Sequence, residues 1–341
     1  PNYSQAEFVD CAFTSNNSDH DGGAVLADYW NGYLSHGDFD GNQADHNGGD
    51  VCATNPLALT FAYCTFLNGV STYGHSVHLE NGLDPTRFLW CEFSAPHDAG
   101  NASLHAVNPD SLIIEECEFT GNRGINGGAI HAAATDGGYH FLGIQSSTFT
   151  DNVADLGFGK GGAVYADSMT VRIMESTFIE NESFDGGGLW LSDCDLTVAL
   201  SGFERNSAEW GAATHQVGGI QDFAYCNFMD NLGTDGNPIL KGRELDADYF
   251  NCLFVGNRSF GTALVEVYEG ASHSFEQCTM FGNTGYMIPV VYLFEAHGGQ
   301  LILDRCLITD NTDIFFGLVG KSFGADLQVV NCNIIGNRDY D

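Results

Sequence analysis

The sequence predicts an all-β chain wound as a parallel β-helix, on three observations. The segment Cys117-Glu-Phe119-Thr-Gly-Asn122 has relatives along the whole chain. Apolar residues alternate with polar ones on either side of a one-residue phase break. A Gly pair then opens a further apolar run in many repeats, as in Gly127-Gly128-Ala129-Ile130. No segment keeps a 3.6-residue period long enough for a helical repeat, and the unit is too short for a four-stranded blade.

The anchors come first. A large apolar residue falls at 13, 39, 66, 93, 119, 149, 178, 203, 228, 254, 280, 308 and 334, thirteen positions in all. Their mean spacing is (334−13)/12, about 27 residues. The reading is therefore one continuous domain over residues 1–341, of about thirteen coils with three short strands each. Two apolar positions precede each anchor pair, such as Leu112 and Ile114, or Leu327 and Val329. Period-two runs with one phase break describe two short strands meeting at a bend. Asn stands three residues after the anchor in eleven of thirteen units, failing only at Gly69 and Pro96. Such a column predicts an asparagine ladder, and Asn tolerates the left-handed conformation of a tight bend. The Gly pair lets the chain re-enter the sheet where a Cβ would clash.

Phe-x-x-Asn followed by Gly-Gly-Ala-Ile/Val resembles the repeat of the polymorphic outer-membrane protein family, best at Phe13…Asn16 with Gly22-Gly23-Ala24-Val25 and at Phe119…Asn122 with Gly127-Gly128-Ala129-Ile130. The resemblance implies a right-handed β-helix, in line with the general preference for right-handed crossovers. It also implies an extracellular or cell-surface protein of the passenger or adhesin kind. The translocator barrel expected of that family has no counterpart in these residues.

Nine of the eleven cysteines stand two residues before the anchor, and Ser147, Ser176 and Ser201 fill the same column. The column asks for a small side chain, so most thiols are expected free and buried. Cys52 and Cys194 lie outside it, and Cys52–Cys64 is the best candidate for a bridge.

With 45 Asp+Glu against 11 Lys+Arg, the formal net charge is −34. That charge opposes nucleic acid, anionic lipid and polyuronate chains without a bridging cation. No apolar run is long enough for a membrane helix. Between Asn and Gly-Gly lie acidic loops. Asp19, Asp21, Asp45, Asp155, Asp185 and Asp235 are candidate Ca²⁺ ligands, since a stacked column of carboxylates repels itself unless hard cations neutralise it. The histidines, His20, His46, His75, His78, His131, His215 and His297, show no metal-ligand spacing and read as turn or surface residues. Trp30, Trp90, Trp190, Trp210, Tyr29 and Tyr165 fall at differing coil positions, so no aromatic track is expected. Lys160, Lys241 and Lys321 fall in separate units, and Arg205 and Arg243 look isolated. Asp193-Cys-Asp195 and Asp246-Ala-Asp248 present same-face acidic pairs, read as solvated faces. Sequons stand at Asn2, Asn16, Asn101, Asn181 and Asn257. Those at ladder positions are expected to be buried, and Asn101 to be accessible.

The functional expectation is a non-enzymatic extracellular structural or adhesive protein. Absent end caps suggest self-association by head-to-tail stacking into a fibre. Other expected partners are glycans or a neighbouring cell surface. The alternative is a carbohydrate-active β-helix enzyme, a polysaccharide hydrolase or lyase.

Overall fold

The computed structural model describes residues 4–96, 100–155, 157–234, 238–259, 263–267, 271–285, 292–296, 299–312, 319–321 and 326–338. They form two compact units, Pro1–Arg172 and Ile173–Asp341. Each is a parallel β-helix, as the sequence predicts, and every strand pairing described is parallel.

One coil shows the plan. Ser111–Glu115 is its first strand and buries Leu112 and Ile114. Glu116 then takes a positive φ and turns the chain. Glu118–Thr120 is the second strand, with Phe119 inside. The phase break read in the sequence is thus a single left-handed residue. It recurs as Asp10, His36, Tyr63, Trp90, Ser146, Glu175, Leu200, Tyr225, Asn251, Gln277, Arg305 and Asn331. None of these is glycine, so each bend holds its strain by the pairing on both sides. The ladder asparagines do not themselves adopt this conformation. A second left-handed residue, such as Asp151 or Arg205, precedes them, because the carboxamide is held between coils.

Two expectations change in detail. The loop after the Asn carries its own two-residue strand, as in Arg123–Gly124 against Val153–Ala154, so a coil has four strands. The second strands number six in the first unit and seven in the second, one at each anchor. The last repeat adds only Asp326–Val330 and Asn333–Ile335 beyond its predecessor's Val319–Lys321, so complete turns are fewer than thirteen anchors suggest.

The interior is built of like-on-like columns. In the first unit Phe13, Phe39, Phe66, Phe93, Phe119 and Phe149 stack face to face at 4.5 to 4.9 Å. That distance is the spacing of neighbouring strands. In the second unit Phe178, Phe203, Phe228 and Phe254 do the same. A second column meets the first edge-on, with Phe61 at 5.7 Å and 69° from Phe66.

The asparagine ladder is present. In the second unit Asn206 Nδ2 donates to Asn231 Oδ1 at 3.0 Å and to the Phe178 carbonyl of the preceding coil at 2.9 Å. Asn16 sits on an end rung and stays exposed, although its amide reaches Asn42. Asn181 and Asn257 are buried. All eleven cysteines are free. Cys52–Cys64 is not bonded, because Cys64 stacks inward while Cys52 sits on the fourth strand, in register with His78.

Among the described residues no helix is long and apolar enough to cross a membrane.

Candidate active site on the concave corner

The third and fourth strands of each coil meet at the Gly bend and form a concave corner. Side chains facing outward from the fourth strand are sheltered there. In Leu189–Ala199 the residues Leu189 and Leu191 point into the core, so Trp190 points into the corner. Trp190 pairs in register with His215, and His215 with Lys241. From the third strands Asp185 and Trp210 stand side by side. The bend needs glycine: Gly186 and Gly211 have φ of 71° and 62°, and a Cβ on Gly187 would run into the backbone of Ser207 and Ala212.

Five side chains of the second unit converge in this way. Asp185 Oδ1 contacts His215 Nδ1, and Asp185 Oδ2 accepts from Trp190 Nε1 at 3.2 Å. The His215 side chain is 8% exposed and that of Asp185 14%. With Nδ1–H donating to the carboxylate, the lone pair of His215 lies on Nε2. Nε2 is buried and has no hydrogen-bond partner among the described residues. Lys241 Nζ lies 3.2 Å from the Trp210 ring centroid, a cation–π contact. Arg243 is two residues along from Lys241 and on the same face. In a chain of net charge −34 this corner sets Lys241 between an oriented imidazole and its other register neighbour, Glu266. Its chemistry is that of a general base beside a fixed positive charge.

The same corner in the first unit carries Cys52, His78, His105, His131 and Tyr165, each in register with the next. The rings stack at 5.0, 4.6 and 4.4 Å, and Nδ1 of His78 and His105 are 3.0 Å apart. Burial pushes His78 and His131 down to about 4, and His105 well below the usual value. Burial pushes the Cys52 thiol up to about 12.

The sequence missed both corners because it treated the histidines one by one. Counted from the second glycine of a pair, Cys52, His131, Tyr165 and Trp190 all stand at the third residue after it. The expectation of no aromatic track also fails at the bend between first and second strands. There His36, Tyr63 and Trp90 stack at 5.1 and 4.9 Å. Lys241 and Arg243, read as isolated, share one strand.

The acidic residues fall elsewhere. Asp19 and Asp45 are exposed. Asp21 accepts from the Asn47 amide, and Asp155 from the Gly157 amide. Asp185 is committed to His215 and Trp190, and Asp235 lies outside the described residues. Among the described residues no three His, Cys, Asp or Glu side chains are grouped to hold a metal ion. On the first strands of the second unit, Asp222 pairs with Asp248, and Asp195 lies on the preceding strand. Partial burial, then Asp248 and Asp195, hold the Asp222 carboxyl above the usual carboxylate range.

No family model matches the chain. It is similar to two Dictyostelium discoideum proteins, metabotropic glutamate receptor-like proteins R and P. Identity is 28% over 239 residues and 24% over 262, covering 69% and 75% of this chain. The chain spans only 14% and 17% of their lengths. Among solved structures it resembles the A-module of the Azotobacter vinelandii mannuronan C-5 epimerase AlgE6. Identity there is 12% and the TM-score 0.40, over 99% of this chain and 92% of that one. A point mutant of the periplasmic alginate epimerase AlgG follows, at 8% identity and TM-score 0.37, over 89% and 77%. The expectation of a chain without enzymatic activity is corrected here, because the second unit brings together an imidazole, a carboxylate and a lysine that the sequence reading had kept apart.

Proposed function

We propose that the chain is an extracellular carbohydrate-active β-helix enzyme. It acts on a carboxylated polysaccharide by removing the proton from the carbon that bears the carboxylate. The observation that carries this reading is His215, oriented by Asp185 through Nδ1, with a buried, unpartnered Nε2. Lys241 is its register neighbour. In the reaction Nε2 takes the proton, and the electron pair moves into the substrate carboxylate. Lys241 and Arg243 offset the charge that develops there. Return of a proton to the opposite face inverts the centre. Loss of the glycosidic oxygen from the next carbon gives elimination instead. Trp190 and Trp210 wall the corner.

The test is solvent deuterium exchange. A panel of uronate polysaccharides is incubated with the protein in heavy water and followed by proton NMR. Wild type is expected to wash deuterium into one ring position. His215→Ala should lower that rate by about 10²–10⁴-fold, and Asp185→Asn should lower it through loss of ring orientation. If no uronate exchanges deuterium or gains the ring double bond of elimination, or if the His215 variant keeps the full rate, the reading is wrong.

Asp222 favours a second reading. A raised carboxyl on Asp222, in register with Asp248 on the next strand, sets two carboxyl groups side by side on one face, the residue types of a glycosidase pair. That chemistry releases reducing ends with neither deuterium exchange nor an unsaturated ring, so the same samples separate the two.

A further inference from the structure

The first unit carries a groove of about 460 Å³ on the outer face of its first strands. Gln5, Glu7, Asn31, Tyr33, Ala58 and Thr60 line it. They come from three successive coils: Gln5 pairs with Asn31, Glu7 with Tyr33, and Tyr33 with Thr60. Its floor is backbone at Gly32. A Cβ there would run into the Trp30 indole, which is buried beneath the strand and donates to the Ala6 carbonyl at 3.3 Å. The volume falls in the range of small-ligand sites.

Outward polar side chains on nearby rungs satisfy each other. Thr65 donates to Asp38 at 2.7 Å, Asn68 to Asp40 at 2.9 Å, and Asn55 to Asp28 at 3.0 Å. In the groove this does not happen. The amides of Gln5 and Asn31 and the hydroxyls of Tyr33 and Thr60 have no side-chain hydrogen-bond partner among the described residues. Two amides and two hydroxyls, each able to donate and accept, thus surround one cavity with a half-exposed tyrosine ring.

From this we infer that the groove is a binding site for an uncharged, hydroxyl-rich oligosaccharide. Sugar hydroxyls both donate and accept, which matches this set. Tyr33 gives an apolar ring wall with a polar tip. Glu7 accepts from hydroxyls and repels anionic sugars. Three rungs cover about 10 Å, the reach of a short oligosaccharide. The inference stands apart from the reaction proposed for the second unit, whose ligand bears a carboxylate.

The test is a titration of the full chain, followed by NMR, with cellohexaose, mannohexaose, xylohexaose, chitohexaose and, as the anionic comparator, trigalacturonate. At least one neutral hexasaccharide is expected to bind. Asn31→Ala and Tyr33→Ala should each weaken it tenfold or more with an unchanged melting temperature. Thr60→Val keeps the shape, removes one hydroxyl, and should weaken binding less. His215→Ala should bind as wild type, which separates this site from the concave corner. The inference is overturned if no neutral hexasaccharide binds, if trigalacturonate binds and Asn31→Ala or Tyr33→Ala weakens it, or if Asn31 and Tyr33 prove dispensable.

Discussion

Asp50 shows how one residue repairs the ladder. At Gly69 the asparagine column is interrupted, and a Cβ there would press on the Asp50 carboxylate. Asn42 Nδ2 donates to Asp50 Oδ1 at 2.8 Å in place of a ladder partner. Burial pushes the Asp50 carboxyl up to about 8, well above the ordinary carboxylate range. The folded chain therefore holds a proton there that the unfolded chain has released between about pH 4 and pH 8. Stability falls as pH rises through that window and levels off above it. Asp50→Asn supplies the neutral shape at every pH. It is expected to raise the melting temperature at pH 8 and to change little near pH 4, read by thermal denaturation across pH. Gly69 was visible in the sequence as a ladder failure. Its cause was not, because Asp50 lies far along the coil and reaches the gap only through the fold.

At the scale of the strand, the stacked fourth strands of the first unit bury three neutral imidazoles. Around them lie Asp21 and Glu80, the Tyr73 and Tyr165 rings, and the Cys52 thiol. Their folded values lie at or below about 4, against 6.5 unfolded. The unfolded chain gains protons first as pH falls, so stability drops from about pH 6.5 toward pH 4. Taken with Asp50, these groups place the optimum of the first unit near pH 6.5. Hydrogen exchange at Val77–Glu80, Leu104–Val107 and Ile130–Ala133 should accelerate at pH 4.5. His105→Gln should flatten that response. In the second unit Asn231 accepts from Asn206 and donates to Asn257 and to the Phe203 carbonyl. Asn231→Ala leaves those partners buried and unmet, at a cost of about 3 kcal/mol by chemical denaturation. The strands themselves were legible, because alternation and the anchor repeat thirteen times and one irregular unit does not blur the period. The corners were not. A column of unlike residues, Cys, His and Tyr, has no compositional signal until the coils are laid in register.

For the whole molecule, charge dominates. A net −34 with a sequence pI near 4.2 means self-repulsion at neutral pH. The melting temperature at pH 7 is expected to rise with sodium chloride between 10 and about 300 mM, as the Debye length shrinks from about 30 Å to well under 10 Å. Solubility should be lowest near pH 4. A melting curve indifferent to salt would mean the carboxylates are neutralised locally. The acid excess was readable from composition. The placing of Lys241 and Arg243 on one strand was not, since two cations among 45 acids leave no trace in a sum.

The ladder also has a direction. In every rung described, the backbone N–H and the carboxamide of one asparagine both donate to the oxygen of the next along the chain, as from Asn181 to Asn206 and from Asn283 to Asn311. None runs backward. During synthesis the amino-terminal coils emerge first, so the most recently folded coil always offers two waiting N–H groups to the segment still leaving the ribosome. Each arriving Asn oxygen caps that front and presents a fresh pair in its turn. The polypeptide thus carries its own template, pointed the way it is made.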